Sequence, residues 1–196
     1  ERFQKYSRVP SNPAKGNQQT KKEKPTESVR ETRLKGCTRL DKLDRDHYAV
    51  QYVLDRKLPE ESFNRLYFSE DFKETANAVS AEPLSEKFPS EPRLVIPFFS
   101  KDKKVEMVQG RSFDPDSGLR YMSIKSSDTV DKIYGKERID KSKTIYCVEG
   151  PLDSLFIDNC LATCDSALQR SDADVLIFDN QPRSKEIVKL MEQAIK

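Results

Sequence analysis

The pattern of hydrophobic and polar positions changes sharply near residue 36. Residues 1–35 are rich in Lys, Pro, Ser and Gln and show no apolar period. A segment that buries so little apolar surface does not offset the entropy of ordering, so we predict a flexible basic linker over 1–35. Residues 46–56 repeat apolar side chains at helical spacing and predict an amphipathic helix. Pro59 begins a second short helix.

Three strands are predicted in the middle of the chain. Residues 93–99 and 105–113 are apolar runs separated by a charged Lys-Asp-Lys-Lys turn, which is a pattern typical of a β-hairpin. The turn-forming cluster at 114–118 leads to a third strand over 120–124. This part of the chain therefore predicts an antiparallel sheet with helices before it.

The last third alternates strands with helices. Strand-like runs lie at 144–148 and 175–178, with a short apolar segment at 161–164 between them. Residues 151–160 begin with proline, which suits the first position of a helix, and residues 184–196 repeat apolar side chains on one helical face. Such alternation indicates a parallel α/β sheet with crossover connections.

Composition narrows the class of protein. Hydrophobic and charged residues each make up 35% of the 196 residues, so the chain can bury a core but keeps a large charged surface. No run approaches the length needed to span a bilayer, and no signal-peptide pattern begins the chain, so we expect no membrane partner. Residues 1–35 hold ten Lys and Arg against four Asp and Glu, a balance that suits either bound phosphates or a solvated linker.

The four cysteines contain no C-x-x-C pair. Cys147 and Cys160 lie in apolar runs, where cysteine behaves as a small hydrophobe, so we predict buried free thiols in a reducing cytoplasm. A zinc site built from Cys160, Cys164 and the sole histidine, His47, is an alternative that we do not favour.

Three acidic residues are candidates for metal binding. Glu149 and Asp179 each follow a predicted strand, and Asp153 lies in the first turn of the helix after Glu149. The carboxyl ends of parallel strands share one edge of the sheet, where ligands gather. Carboxylates at such an edge suit Mg²⁺, although solvated acids are also common at strand ends and helix N-termini.

A family resemblance adds to this interpretation. Residues 148–155 (VEGPLDSL) resemble the E-G-x-x-D-x-L signature of the Toprim domain of primases, topoisomerases and some nucleases, and residues 178–181 (FDNQ) occupy the place of that family's D-x-D motif. Upstream, RLVIP, QGR, RYMS and KIYG follow in the order seen in bacterial-type primases. Over residues 36–196 the chain is similar to the primases of T-even-like phages.

The resemblance implies roles for particular residues. It implies catalytic roles for Glu149, Asp153 and Asp179, and metal binding by Glu149, Asp179 and Gln181. It also implies a basic groove for template and nucleotide, which would consist of Arg93, Arg111, Arg120 and Lys132. From the residues alone, the interpretation of each of these cations as a solvated surface charge is favoured over a role in binding.

The resemblance also implies a fold and an activity. The fold would be α/β, with a truncated Toprim-type parallel sheet over 141–196 preceded by an α+β primase subdomain over 36–140. The activity would be Mg²⁺-dependent synthesis of short RNA primers from NTPs on single-stranded DNA, with Mn²⁺ as a substitute metal. A replicative helicase would be the partner, in the phage replisome of the host cytoplasm.

Three departures from the family pattern stand out. Gln181 replaces the second acid of the D-x-D motif, and an amide oxygen can ligate Mg²⁺ but carries no charge. The N-terminal zinc ribbon of such primases, and with it Zn²⁺, is not in this chain. The chain also ends at a helix, before the last strand that the family places there, so we expect an incomplete Toprim domain.

Two other classes of function remain open from the sequence. One is a Toprim-type nuclease or topoisomerase-like strand-cleaving enzyme. A topoisomerase needs a nucleophilic tyrosine, and no sequence feature marks Tyr121, Tyr134 or Tyr146 as activated. The other class is a non-catalytic replisome assembly module that contacts the helicase.

Overall fold

An antiparallel sheet of five strands forms the first half of the fold. The computed structural model describes residues 34–179 and 184–194. The strands pair in sequence order, and every pair is antiparallel. They are β1 (Cys37–Arg39), β2 (Tyr67–Ser69), β3 (Arg93–Phe99), β4 (Val105–Ser112) and β5 (Tyr121–Lys125). The predicted hairpin and third strand are confirmed, whereas most of the predicted linker, residues 1–33, lies outside the described residues.

Two α-helices accompany this sheet. The predicted helix is confirmed as α1 (Tyr48–Asp55), where the His47 side chain accepts a hydrogen bond from the first turn. The segment after Pro59 forms a 3₁₀ helix, Glu60–Arg65, because it is too short to gain a full α-helical hydrogen-bond pattern. Helix α2 (Phe72–Val79) was not predicted.

A three-stranded parallel sheet forms the second half. It contains β6 (Tyr146–Val148), β7 (Cys160–Ala162) and β8 (Val175–Leu176) in the order β7-β6-β8, and both pairings are parallel. Helix α3 (Lys185–Ala194) follows, as predicted, and Ile187 is its buried side chain.

The predicted helix over 151–160 is wrong in extent. Only a 3₁₀ helix forms, Asp153–Phe156, and Phe156 is 51% exposed. Asn159 has a left-handed backbone (φ 53°), and its side-chain amide donates hydrogen bonds to the carbonyls of Asp140 and Thr144 over 3.0 and 2.9 Å. These contacts fix the chain at the entrance to β7, so a helix cannot continue there.

The two sheets share a hydrophobic core. Leu94, Ile96 and Phe98 on one face of β3 belong to the same buried cluster as Val148 and Leu155 of the second half. A second cluster lies on the opposite face of the five-stranded sheet, where α2 packs. The two sheets are thereby held in a defined relation, which fixes the position of the strand ends.

The prediction that Cys147 and Cys160 are buried free thiols is confirmed. Cys147 and Cys160 are buried and all four cysteines are free, and burial raises the pKa of Cys160 to about 12. His47 Nδ1 accepts a hydrogen bond from the helix backbone, which disfavours the alternative of a zinc site built from His47 and two cysteines. No helix within the described ranges has the length and apolar character to cross a membrane.

Candidate active site

Two predicted acidic residues meet at the carboxyl edge of the parallel sheet. Glu149 directly follows β6, and Asp179 lies just beyond β8. The amide of Ile177 donates a hydrogen bond to the carbonyl of Cys147 over 2.8 Å, which continues the pairing past the assigned strand. The amide of Asp179 then donates to Glu149 Oε1 over 3.3 Å. Strand pairing therefore brings together two acids that are distant in sequence.

The environment of Glu149 disfavours its negative charge. Burial is the main effect that raises the pKa of this carboxyl, and the charges of Asp179 and Asp165 raise it further. The hydrogen bond from the Asp179 amide acts in the opposite direction. A cation beside Glu149 would relieve both the repulsion and part of the desolvation penalty.

Asp165 is an acid of this edge that the sequence analysis missed. It lies shortly after β7, and the amide of its neighbour Cys164 donates a hydrogen bond to the Glu149 carbonyl over 2.8 Å. The Asp165 carboxylate accepts hydrogen bonds from Arg170 over 2.7 and 2.8 Å. Each strand of the parallel sheet is thus followed by an acid. That regularity would have identified Asp165 if residues 160–162 had been recognised as a strand.

Gly150 lets the third predicted acid approach the sheet edge. A Cβ atom at Gly150 would lie 2.1 Å from Oδ2 of Asp153, which is closer than atoms can approach without a shift. The hydroxyl of Ser154 donates a hydrogen bond to the Pro151 carbonyl over 2.7 Å and fixes the turn between them. The glycine of the E-G-x-x-D motif therefore leaves room for the Asp153 carboxylate in its present position.

The acidic edge can accommodate a hard cation. Within the described part of the chain, no group of three or more His, Cys, Asp or Glu side chains is arranged to hold a metal ion. Glu149 and Asp179 are nevertheless adjacent, and Mg²⁺ often takes only one or two protein carboxylates, with phosphate oxygens and water as its other ligands. This donor pair fits such an ion. The third predicted metal ligand, Gln181, lies outside the described residues.

Two predicted basic residues lie together with aromatic rings. Arg111 on β4 is paired with Tyr121 on β5, and its guanidinium carbon lies 4.8 Å from the centre of the Tyr121 ring. The Arg111 Nε donates a hydrogen bond to the Tyr52 hydroxyl. Burial lowers the pKa of Arg111, and the charges of Arg56 and Arg120 lower it further. The hydrogen bond with Tyr52 raises this pKa but does not outweigh burial. The cluster combines cations with rings, as single-stranded nucleic-acid sites do.

Arg56 is a member of this basic cluster that the sequence analysis missed. It follows helix α1, and its guanidinium carbon lies 6.0 Å from the centre of the Tyr52 ring. The available signal was its place as the last residue of the predicted helix, which does not distinguish it from any other surface arginine.

Lys132 lies on the acidic side of the fold. Its charge lowers the pKa of the Cys164 thiol, although burial outweighs this effect and raises that pKa to about 12. Cys164 is bonded through its amide to the Glu149 carbonyl. The Lys132 ammonium therefore lies within electrostatic range of Cys164, the residue bonded to the Glu149 carbonyl.

Arg93 does not face solvent. Its side chain is 0% exposed, and its guanidinium donates hydrogen bonds to the Glu91 carboxylate and, over 3.0 Å, to the Gly110 carbonyl. A buried guanidinium with these partners stabilises the sheet and has no route to a template. We therefore correct its expected position, and leave Arg93 out of the candidate nucleic-acid groove.

One comparison with curated proteins is informative. No protein-family profile matches the chain. The chain is 35% identical over 167 residues to the DNA primase of Enterobacteria phage T4, and the match covers 83% of this chain and 48% of that protein. The chain thus spans about half the length of this relative.

Solved structures share the fold. The primase of Aquifex aeolicus, with its zinc-binding and RNA polymerase domains, matches with a TM-score of 0.56 and 20% identity over 77% of this chain and 46% of that one. A DnaG primase catalytic domain bound to ssDNA matches with a TM-score of 0.55 and 18% identity, over 78% of this chain and 60% of that one. The predicted α/β class, a parallel sheet preceded by an α+β part, is confirmed as the fold of these catalytic cores.

Proposed function

Because this chain belongs over its matched residues to the family of DNA primases that includes the phage T4 enzyme, we propose that it carries out template-directed synthesis of short RNA primers on single-stranded DNA. The observation that carries the proposal is the contact between the Asp179 amide and the Glu149 carboxylate, which joins two acids at the edge where α/β sheets bind ligands. The relative is about twice as long as this chain, so the activity is a proposal for the protein to which the chain belongs.

The acidic edge would be a Toprim-type metal centre. Glu149 and Asp179 would hold a Mg²⁺ ion, which supplies phosphate-oxygen bridging and charge neutralisation when bound. Asp153 would orient the cluster from its position against Gly150, and Gln181 would add a neutral oxygen. The raised pKa of Glu149 supports this role, because the cation restores the ionised form that burial and Asp179 disfavour.

The basic cluster would hold the template. Arg120 and the neighbouring Arg56, which are exposed, would neutralise phosphates of the single strand. Arg111 is only 3% exposed, so it would act by holding the Tyr121 ring, whose exposed face is offered to a base. Lys132 is the cation near the acids, so it would orient the phosphates of the incoming NTP toward them. The printed description of the related DnaG domain, bound to ssDNA, supports this choice of template.

The wider setting follows from the same family. We place residues 36–140 in the N-terminal part of the RNA-polymerase domain and residues 141–196 in the Toprim domain. We also propose a replicative helicase as partner, within the replisome in the cytoplasm of the phage host.

A topoisomerase-like mechanism has less support. A tyrosine nucleophile needs access to DNA and a pKa that is not elevated. Tyr134 is 2% exposed, and burial raises its pKa. Tyr121 is exposed, but its ring on β5 covers the Arg111 guanidinium, and no described acid contacts it.

The test is primer synthesis with labelled NTPs, Mg²⁺ and single-stranded DNA, on this chain and on a form extended at both ends. We expect short oligoribonucleotides that Glu149→Gln abolishes and that Glu82→Gln, at an exposed acid elsewhere, leaves unchanged. Absence of product from the extended form, with DNA binding retained, would contradict the proposal. Mg²⁺-dependent DNA nicking without NTPs would favour a nuclease instead.

A further inference from the structure

A second concave site lies apart from the acidic edge. It has a cavity volume of about 250 Å³, and basic and aromatic side chains line it. The lining residues used below are Arg39, Arg65, Lys103 and Arg138, with Tyr67 and Phe99.

This pocket lies beside strand β7, and neither Glu149 nor Asp179 lines it. Arg138 donates a hydrogen bond to the carbonyl of Cys160, the first residue of β7, over 3.1 Å. Tyr134, which also lines the pocket, is paired with Ala162, the last residue of β7. Glu149 instead follows β6, the middle strand of the parallel sheet. The pocket and the acidic pair are therefore built from different residues.

The pocket has an excess of positive charge. Of its four cations, Arg39 is paired with Asp41 over 2.6 Å, and Arg138 lies 3.5 Å from Glu137. Neither the Arg65 nor the Lys103 side chain forms a hydrogen bond or ion pair with another described residue. Two positive charges are therefore left to attract an anion into a partly enclosed space, where such attraction is stronger than at an open surface.

Arg138 offers a further donor. Its guanidinium is held over the Tyr134 ring, 4.5 Å from the ring centre. Its Nη1 atom is buried, lies 3.5 Å from Glu137 Oε1 and makes no closer hydrogen bond to the described residues. Gly135 (φ 91°) is needed for this arrangement, because a Cβ there would lie 2.7 Å from the guanidinium. The long contact with Glu137 leaves the Nη1 donor poorly satisfied, and a ligand oxygen that reached it would make a better hydrogen bond.

Lys103 is held in the pocket at a conformational cost. It has a left-handed backbone (φ 62°), which glycine or asparagine adopts more readily than lysine. The strain belongs to the turn between β3 and β4, where the Lys103 amide donates to the Ser100 carbonyl over 2.9 Å. This turn places the Lys103 side chain in the lining of the pocket.

The remaining walls are apolar or aromatic. Tyr67, Pro97 and Phe99 provide a surface on which a planar ring can pack, next to the cations. We propose that this pocket binds a nucleotide through its polyphosphate, with Arg65, Lys103 and Arg138 on the phosphate oxygens and the nucleoside against the aromatic wall. The nucleotide is either free or the 5′-triphosphate end of an oligoribonucleotide.

The test is a binding titration with excess EDTA, so that a metal-dependent site at the acidic edge makes no contribution. The probes are ATP, a trinucleotide with a 5′-triphosphate and the same trinucleotide with a 5′-hydroxyl. We expect Lys103→Gly to weaken binding of the triphosphate probes about tenfold, the effect of losing one charge-assisted contact. Tighter binding of ATP would identify the free nucleotide as the ligand, and tighter binding of the trinucleotide would identify the 5′ end.

The control exploits a second strained lysine. Lys57 also has φ 62° but lies after helix α1, outside the pocket lining. Both Lys103→Gly and Lys57→Gly should keep or raise the melting temperature, and only the first should weaken binding. A second variant, Arg65→Gln, should weaken it similarly. Unchanged affinity in both pocket variants, or equal binding of the 5′-hydroxyl trinucleotide, would overturn the proposal. Neither result bears on primer synthesis, because no catalysis is measured.

Discussion

The amide of Asp179 donates a hydrogen bond to Oε1 of Glu149, and this contact couples the ends of strands β8 and β6. It orients the Glu149 carboxylate and also brings the negative charge of Asp179 close to it. The same geometry therefore positions a metal-binding pair and makes that pair unfavourable without a cation. The repulsion between these two carboxylates lowers the stability of the folded protein until a cation binds, and unfavourable arrangements of this kind are common at functional sites.

The first prediction concerns Glu149→Gln without metal. The pKa of Glu149 is raised in the folded protein, so folding disfavours the ionised form. The resulting destabilisation is absent below the unfolded pKa of about 4.3 and complete once the pH exceeds the folded pKa. In EDTA, the Glu149→Gln variant should therefore have a higher free energy of unfolding than the parent at pH 7. At a pH of about 4, below the unfolded pKa, the two free energies should be equal. Urea denaturation at both pH values measures this difference.

Glu82→Gln is the matched control, because Glu82 is an exposed acid outside the site. Its free energy of unfolding should follow that of the parent at both pH values. Added Mg²⁺ should stabilise the parent more than Glu149→Gln. A Glu149→Gln variant that is less stable than the parent at pH 7 would contradict the argument.

The second prediction concerns Gly150→Ala. The new methyl group would displace the Asp153 carboxylate, whose Oδ2 lies 2.1 Å from the Cβ position. Because the displaced atom is the end of a side chain, the free energy of unfolding should change by less than about 1 kcal/mol. Primer synthesis should fall at least about tenfold, since catalytic groups tolerate little displacement. Denaturation and a primer-synthesis assay separate the two effects.

Gly118→Ala provides the comparison for this variant, because no atom lies within 4 Å of a Cβ at Gly118. It should retain both stability and activity. An Asp153→Asn variant should show a loss like that of Gly150→Ala. Full activity of Gly150→Ala would mean that the position of the Asp153 carboxylate does not matter.

The pattern of apolar residues in the sequence predicted the hairpin, helix α1 and the parallel strands β6 and β8, whereas β7 was recognised only as a short apolar segment. Helix α2 was not predicted because its buried face consists of Phe72, Ala76 and Val79, which lie within a mostly polar segment. Its N-terminus was nevertheless marked by Asp71, whose side chain accepts a hydrogen bond from the Lys73 amide over 2.9 Å.

The candidate site was only partly accessible to such reasoning. Glu149 and Asp179 could be found because each ends an apolar run. Arg93 could not be recognised as a core residue, because the charge of an arginine gives no sign of a partner two residues away and a carbonyl on the next strand. Arg56 joins Arg111 only through the tertiary fold.

The third prediction concerns the basic cluster. Arg120 is exposed and acts electrostatically on Arg111. Arg120→Ala should weaken binding of single-stranded DNA. It should also reduce the slope of log affinity against log salt by about 1, as expected for the loss of one phosphate contact. Arg45→Ala is the control, because Arg45 is an exposed arginine paired with Glu60 on another part of the surface. Fluorescence anisotropy at several salt concentrations measures both. Equal slopes for the two variants would remove Arg120 from the groove.

The last prediction separates a core arginine from a binding arginine. Arg93→Met keeps the volume of the side chain but removes the guanidinium's hydrogen bonds to the Glu91 carboxylate and, over 3.0 Å, to the Gly110 carbonyl. We expect the free energy of unfolding to fall by about 2 kcal/mol, the contribution of hydrogen bonds made by a charged group. Arg45→Ala should leave it close to that of the parent, because exposed ion pairs such as Arg45 with Glu60 contribute little to stability. At temperatures where Arg93→Met is folded, its salt slope for DNA binding should equal that of the parent, and a reduced slope with unchanged stability would return Arg93 to the groove.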